Sequence, residues 1–317
     1  MKALVTGGLG FIGSHLAEYL IKQLDYPTIL DDCSNNVVNR NAYGCRIVEG
    51  SVLDVSDLFN ERFDMVYHLA CFVGPVGVLK FSGKMAFEIL DMTKRMLDYC
   101  LVNKTPLIYV SSSEVYGNVS QMEEDSQKVF PGEYAVRTEY GAAKMLCEIM
   151  IENTAKVTDL KYQIIRPFNV AGPRQRPKGG FVLPRFIQSA LKDEPLTIYG
   201  DGTQRRAFAD VRDLSRGIYE VSQYEGWNHT WNLGNPANEM TIFELARKVE
   251  EVMGKELEFS FVDPKELHGP LFSEAPDKVP FIDKVRSLVG WEPEYDLHTT
   301  ISDSIEWIKK SLRSRGL

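Results

Sequence analysis

The 317-residue sequence has no run of about 18 consecutive apolar residues, so no membrane-spanning helix is expected. Cysteine is sparse: five residues, at 33, 45, 71, 100 and 147, odd in number and without a C-x-x-C spacing. That pattern excludes a disulfide framework and reads as reduced thiols of a cytoplasmic protein. The five histidines show no metal-ligand spacing, and no metal site is expected. Basic charge is in deficit: 36 Lys and Arg stand against 44 Asp and Glu, for a net charge of −8. A general nucleic-acid or anionic-membrane surface is therefore excluded, although a local arginine pocket for a phosphorylated ligand is not. No internal repeat and no low-complexity tract is present. The apolar strand pattern begins at the first residues, so no signal peptide is expected.

What the sequence does contain is organised around its first stretch, Lys2-Ala-Leu-Val-Thr-Gly7-Gly8-Leu-Gly10-Phe-Ile-Gly13-Ser14. Ala3 to Val5 reads as a buried parallel strand and Ser14 to Gln23 as a helix, with a glycine-rich turn between them. This arrangement receives a dinucleotide pyrophosphate: glycines permit the tight turn and the approach of backbone N–H groups, and the helix N-terminus adds partial positive charge. Both Gly8-x-Gly10-x-x-Gly13 and Gly7-x-x-Gly10-x-x-Gly13 fit the turn. The next strand pattern, Pro27 to Leu30, ends at Asp31-Asp32. A carboxylate there accepts hydrogen bonds from adenosine ribose hydroxyls and repels a 2′-phosphate, which points to NAD rather than NADP, with Asp31 the better candidate. The alternative for Asp31 is an Asx turn opening the loop through Asn35 and Asn36.

Further strand patterns follow at Arg46–Glu49, Met65–Ala70, Pro106–Val110 and Tyr162–Ile165, with helical patterns between them at 85–102 and 140–155. Alternation of this kind implies an α/β fold with a doubly wound parallel sheet, in which ligands bind off the carboxyl ends of the strands. Beyond Pro167 the alternation becomes irregular, and Arg, Pro and Gly become frequent. The division expected is a dinucleotide-binding domain over 1–167, with 213–234 returning to its sheet, and a smaller α/β substrate domain over most of 168–317.

Tyr140-Gly-Ala-Ala-Lys144 opens a helical pattern, and residues i and i+4 share a helix face. An ammonium beside a phenol stabilises tyrosinate, so the pair predicts a Tyr140 with a lowered pKa, able to act as a general base. Ser111-Ser-Ser-Glu114-Val-Tyr-Gly117 follows the fifth strand, where a serine hydroxyl can bind a substrate alcohol. Taken singly, Tyr-x-x-x-Lys is common on exposed helices and serines often bond their own loop.

Taken together with the glycine turn, His68-Leu-Ala70, Arg166-Pro-Phe-Asn169 and Tyr199-Gly-Asp-Gly-Thr-Gln-Arg-Arg206-Ala-Phe208, these residues make the sequence resemble an extended short-chain dehydrogenase/reductase of the NAD-dependent nucleotide-sugar epimerase/dehydratase family, on a Rossmann fold. The resemblance spans essentially the whole chain. It implies a catalytic set of Ser112, Tyr140 and Lys144, with Glu114 beside them. It implies NAD held by Gly7, Gly10, Phe11, Ile12, Gly13, Asp31, Ser51, Val52, Leu69, Ala70, Tyr140 and Lys144, and a nucleotide-sugar met by Ser112, Ser113, Asn169 and Arg206. The guanidinium of Arg206 suits diphosphate oxygens.

Several positions depart from the family pattern. Gly50-Ser51 stands where Gly-Asp is usual. Ser113-Glu114 replaces the Asp-Glu of 4,6-dehydratases, which counts against dehydration, and resembles the UDP-glucuronate decarboxylases. The arginine usual late in the substrate domain is not evident between Leu271 and Lys284, and the segment 72–83 is unusual. The activity the resemblance implies first is 4-epimerisation through a transient 4-keto sugar. UDP-glucuronate decarboxylation follows, then dehydration or net 4-oxidation, with an NAD-sensing regulatory protein as the non-enzymatic alternative. Surplus apolar residues on the two long helices, Met92, Met96, Leu97, Met145, Leu146, Ile149 and Met150, suggest a homodimer through a four-helix contact, which family members also use.

Overall fold

The computed structural model describes residues 1–39, 43–132, 134–274 and 277–313. The first half runs β1 (Lys2–Thr6), α1 (Phe11–Lys22), β2 (Tyr26–Asp31), β3 (Arg46–Glu49), α2 (Val55–Leu58), β4 (Met65–His68), α3 (Met85–Asn103), β5 (Leu107–Val110), α4 (Val136–Val157) and β6 (Tyr162–Pro167). The second half runs β7 (Val170–Ala171), α5 (Val182–Leu191), β8 (Leu196–Tyr199), β9 (Arg205–Ala207), β10 (Ala209–Asp210), α6 (Val211–Gln223), β11 (His229–Leu233), β12 (Glu239–Thr241), α7 (Ile242–Met253), β13 (Phe259–Val262), α8 (Pro264–His268), α9 (Asp283–Val289) and α10 (Leu297–Arg313).

Seven parallel strands form the central sheet in the order β11-β6-β5-β4-β1-β2-β3. β4 and β5 are buried along their whole length, as continuous apolar strands between two helical layers should be. Alternate residues face opposite layers. Leu4, Val66, Leu107 and Ile164 pack with Met96, Leu97, Cys147 and Ile151 of α3 and α4. Val5, Tyr67, Ile108 and Ile165 pack with Leu16, Leu20, Leu214 and Ile218 of α1 and α6. The edge strand β11 reaches the sheet from beyond residue 210 and pairs with β6 in register Trp231↔Ile165. A separate core joins α5, α7 and α10 through Phe186, Ile198, Leu245 and Ile301.

The sheet order reverses between β1 and β4. Consecutive crossovers leave to opposite sides there, the place where ligands bind off the carboxyl ends of the strands in doubly wound sheets.

Candidate functional site

At the reversal point, Thr6 Oγ1 accepts from the backbone N–H groups of Leu69 and Ala70, at 3.1 Å each, and contacts His68 Nδ1 at 2.8 Å. The turn after β1 is thereby pinned to the turn after β4. Gly7 has φ +67°, and a Cβ on it would stand 2.9 Å from Ala70 N. A Cβ on Gly13 would collide with the Gly7 carbonyl oxygen. A Cβ on Gly8 would also stand 2.8 Å from Ile29, so Gly7, Gly8 and Gly13 are the glycines the geometry most requires. The helix begins at Phe11, three residues before the Ser14 start expected from sequence, with Gly10 as its N-cap. Phe11, Ile12 and Gly13 are its first turn, whose N–H groups precede any intrahelical acceptor and suit a phosphate. Asp31 sits at the end of β2, 8% exposed, and its carboxylate accepts from Leu9 N at 2.9 Å and Cys33 N at 2.8 Å. It is both the closing bond of its own turn and a carboxylate beside the glycine loop. Ser51 Oγ caps the short turn Val52–Asp54 through Leu53 N, with Val52 buried beneath it. These residues fit a dinucleotide: the cradle exists only because side chains are absent from it.

Arg174 crosses to this end of the molecule. Its guanidinium meets Glu18 at 2.5 Å, Ser14 Oγ at 3.2 Å and Tyr43 OH at 3.3 Å, which ties the segment after β6 to α1.

The second cluster lies at the carboxyl end of β5. Ser112 ends that run and opens the 3-10 turn Ser113–Tyr116, its Oγ accepting from Glu114 N at 3.2 Å. From α4, Tyr140 faces Ser112. One helical turn on, Lys144 is 3% exposed and donates to the Val110 carbonyl at 2.9 Å, with its Nζ 4.7 Å from the centre of the Tyr109 ring. The structure thus brings Ser112, Tyr140 and Lys144 together. It corrects the expected direction of the Tyr140 pKa. Burial drives it well above 10, and the nearby Cys71 and Glu114 add to the rise, against which the Ser112 hydrogen bond is a smaller opposing effect. The Lys144 ammonium is spent on the Val110 carbonyl.

The third cluster was only partly legible. Glu114 is clamped between two cations, Arg137 Nε at 2.5 Å and the ammonium of Lys278, which also lies 3.4 Å from Ser113 Oγ. Burial raises the Glu114 pKa, but Lys278 and Arg137 outweigh it and hold the carboxyl at about 2. Lys278 is 2% exposed; burial lowers its pKa, Glu114 opposes, and Arg137 and Arg206 add to the lowering, leaving it at about 7. Arg206 is bridged to Lys278 along the backbone and pairs with Glu274 at 3.2 Å. Asn169, at φ +38°, donates both amide hydrogens, to Ala207 O and Lys278 O at 3.2 Å each, leaving Oδ1 as its acceptor. Arg137 and Lys278 are absent from the sequence-derived set. Arg137 had a usable signal, since it precedes Tyr140 by three residues and so shares its helix face. Lys278 had none: it sits in an irregular segment reached only through tertiary folding. Among the described residues, no group of His, Cys, Asp and Glu could hold a metal ion, and no helix is long and apolar enough to cross a membrane.

Comparison with known proteins places this geometry. Residues 3–234 match the model of the family described as "NAD dependent epimerase/dehydratase family". The UDP-N-acetyl-α-D-glucosaminuronate decarboxylase of Bacillus cytotoxicus is 30% identical, over 98% of this chain and 98% of its own. UDP-glucuronic acid decarboxylase 2 of Arabidopsis thaliana is 33% identical, over 94% of this chain and 66% of its own. Among solved structures, the UDP-glucuronic acid 4-epimerase of Bacillus cereus in complex with UDP-glucuronic acid and NAD superposes with a TM-score of 0.85 at 26% identity, over 98% of this chain and 100% of that one. The chain belongs to the NAD dependent epimerase/dehydratase family.

Proposed function

We propose that this enzyme acts on a UDP-linked hexuronate, oxidising C4 and releasing the C6 carboxylate as carbon dioxide. The observation that carries the reading is the Arg137–Glu114–Lys278 cluster beside Tyr140 and Ser112. With Lys278 protonated, as it is below neutrality, two cations around one carboxylate leave a net charge of +1 in a mostly buried position. Burying such charge costs free energy, which a neutral hexose would not offset and a sugar carboxylate would. In this reading NAD, held by the glycine cradle, would supply the hydride acceptor and donor for C4. Tyr140, with Ser112, holds and accepts the C4 hydroxyl proton, and Lys144 orients the nicotinamide ribose. A ketone at C4 makes the C6 carboxylate that of a β-keto acid, whose electrons can flow into the C4 oxygen as the C5–C6 bond breaks. Tyr140 and Ser112 then stabilise that oxygen, and a proton from solvent takes the place of carbon dioxide at C5, restoring the ketone before C4 is reduced. Arg137 and Lys278 hold the carboxylate, while the Glu114 anion faces it and disfavours its charged ground state. Arg206 serves the diphosphate.

Decarboxylation is ranked ahead of the 4-epimerisation that the sequence alone puts first. Epimerisation of the same hexuronate is the second reading, favoured by the match to the Bacillus cereus 4-epimerase. In both, residues 1–167 with 213–234 hold NAD, and most of 168–317 receives the nucleotide-sugar. The test is product analysis with UDP-glucuronate and UDP-N-acetylglucosaminuronate. Stoichiometric carbon dioxide and a UDP-pentose are expected. A UDP-galacturonate-type product without gas supports the second reading, and turnover of neutral UDP-hexoses alone overturns both.

The cofactor reading gives a further prediction. The Asp31 carboxylate stands at the adenosine end of the cradle, so the cofactor-free protein binds NAD more tightly than NADP in a calorimetric titration. Asp31→Asn narrows the gap by removing the repulsion toward a 2′-phosphate.

For assembly, the reading is a homodimer. Met96 and Leu97, counted from sequence as surplus, are buried against the sheet, whereas Leu146 and Ile149 are each 42% exposed and Phe87 77%. That exposed face of α3 and α4 is the surface to be covered by a second copy. Light scattering at micromolar concentration is expected to return twice the chain mass, and Leu146→Glu with Ile149→Glu to return the monomer.

A further inference from the structure

Three residues behind the catalytic cluster belong to neither ligand, yet they are bonded into it. Ser111, Glu148 and Arg166 are each 3% exposed. Tyr140, Lys144 and Glu148 stand at i, i+4 and i+8 on α4 and so share one helix face. They meet three successive residues at the end of β5. Glu148 Oε1 accepts from Ser111 Oγ at 2.5 Å, Lys144 donates to the Val110 carbonyl at 2.9 Å, and Tyr140 faces Ser112. Glu148 is itself fixed by Arg166 of β6, in a two-pronged contact of Nε to Oε1 at 3.0 Å and Nη2 to Oε2 at 2.6 Å. The remaining guanidinium nitrogen, Nη1, donates to Tyr116 OH at 2.8 Å and to the Glu124 carbonyl at 2.9 Å. Tyr116 OH in turn donates to Asn232 Oδ1 at 2.7 Å.

We propose that the buried Glu148–Arg166 pair is a positioning device that grips the catalytic turn at both ends, through Ser111 and Tyr116, and so sets the Ser112 hydroxyl against Tyr140. The turn between those two grips is the one that carries Ser112, Ser113 and Glu114. A buried ion pair is a poor device for stability, because desolvation consumes most of its attraction. A fully bonded buried network is a good device for fixing one arrangement, because each alternative leaves a polar group unpaired. Here every prong but the one on the Glu124 carbonyl ends on the catalytic turn, on the helix bearing Tyr140 and Lys144, or on the strands beside them. A short misplacement at that distance from the chemistry is enough to cost rate.

The test cuts the link without unpairing the charges. Ser111→Ala removes the hydroxyl between Glu148 and the turn and leaves Glu148 on Arg166. The NAD-loaded enzyme is labelled with isotopic tyrosine, and the Tyr140 Cζ resonance, assigned by its loss in Tyr140→Phe, is followed through a pH titration. Tyr140 is faced by Ser112, Cys71, Glu114 and Cys147, and of these only the Ser112 bond favours tyrosinate. The expected result is a Tyr140 titration displaced upward in Ser111→Ala and restored in Ser111→Thr. The thermal midpoint stays close to wild type, and reduction of bound NAD by UDP-glucuronate slows about 10- to 10²-fold. The resonance needs no substrate, so it decides the matter even where UDP-glucuronate is not turned over. An unchanged Tyr140 titration in Ser111→Ala overturns the proposal, as does a fall in thermal midpoint with the titration unmoved.

Discussion

Tyr140→Phe is expected to lower turnover by about 10²–10⁴-fold, the usual contribution of a positioned general base, with folding and NAD affinity close to wild type. The phenyl ring keeps the packing of α4, and only the hydroxyl facing Ser112 is lost. The chain by itself holds this phenol strongly protonated, since burial and the Glu114 carboxylate both raise its pKa. The base must therefore be switched on by positive charge arriving in the cleft: an opposite charge within a few ångströms favours the ionised form, and oxidised nicotinamide carries one. Tyr140 is accordingly expected to titrate at lower pH in the NAD-loaded protein than in the cofactor-free protein, and the acidic limb of the rate profile to vanish in Tyr140→Phe. Turnover unaffected by the substitution would remove Tyr140 from the mechanism.

The parts of this enzyme that were legible in the sequence share one property: local pattern decides them. The strand–glycine–helix unit around Gly7 and Gly13 is written in contiguous residues, because a Cβ at either position meets backbone. Tyr140 and Lys144 are legible because four residues along a helix return a side chain to the same face. The seven-stranded sheet follows from alternating strand and helix patterns, and its topology carries the site to the β1–β4 reversal. Electrostatics was not legible. That Lys144 would spend its charge on the Val110 carbonyl, and that Glu114 would stand closer to Tyr140 in effect than any cation, depend on burial and on neighbours from other elements. Lys278 was invisible for the same reason. Between Leu271 and Lys284, where no arginine stands, the fold buries a lysine that is bridged to Arg206.

Lys278 is where the substrate reading is most exposed to experiment. Lys278→Met is expected to lower kcat/KM for UDP-glucuronate by about 10²-fold, since loss of one partner from a buried charge contact costs roughly 2–5 kcal/mol. The fold should tolerate the change, because Glu114 keeps Arg137. Lys278→Arg should retain most activity and alter its pH dependence, and the sign is fixed. Burial leaves the Lys278 ammonium with a pKa of about 7 against an ordinary 10.5, so it is charged below neutrality and neutral above. As pH rises through 7, the affinity for a carboxylate-bearing sugar falls, and kcat/KM should decline on that limb. A bound carboxylate holds the proton on, so the corresponding limb in kcat lies at higher pH. Folding stability moves the opposite way. Between about 7 and 10.5 the unfolded chain binds the extra proton, so this residue makes stability rise with pH over the window in which it makes substrate affinity fall. In Lys278→Arg both trends should flatten, because a guanidinium stays charged throughout. A kcat/KM that declines through neutrality equally in wild type and Lys278→Arg, or a Lys278→Met enzyme with undiminished affinity for UDP-glucuronate, would remove the cation from substrate recognition and the hexuronate reading with it.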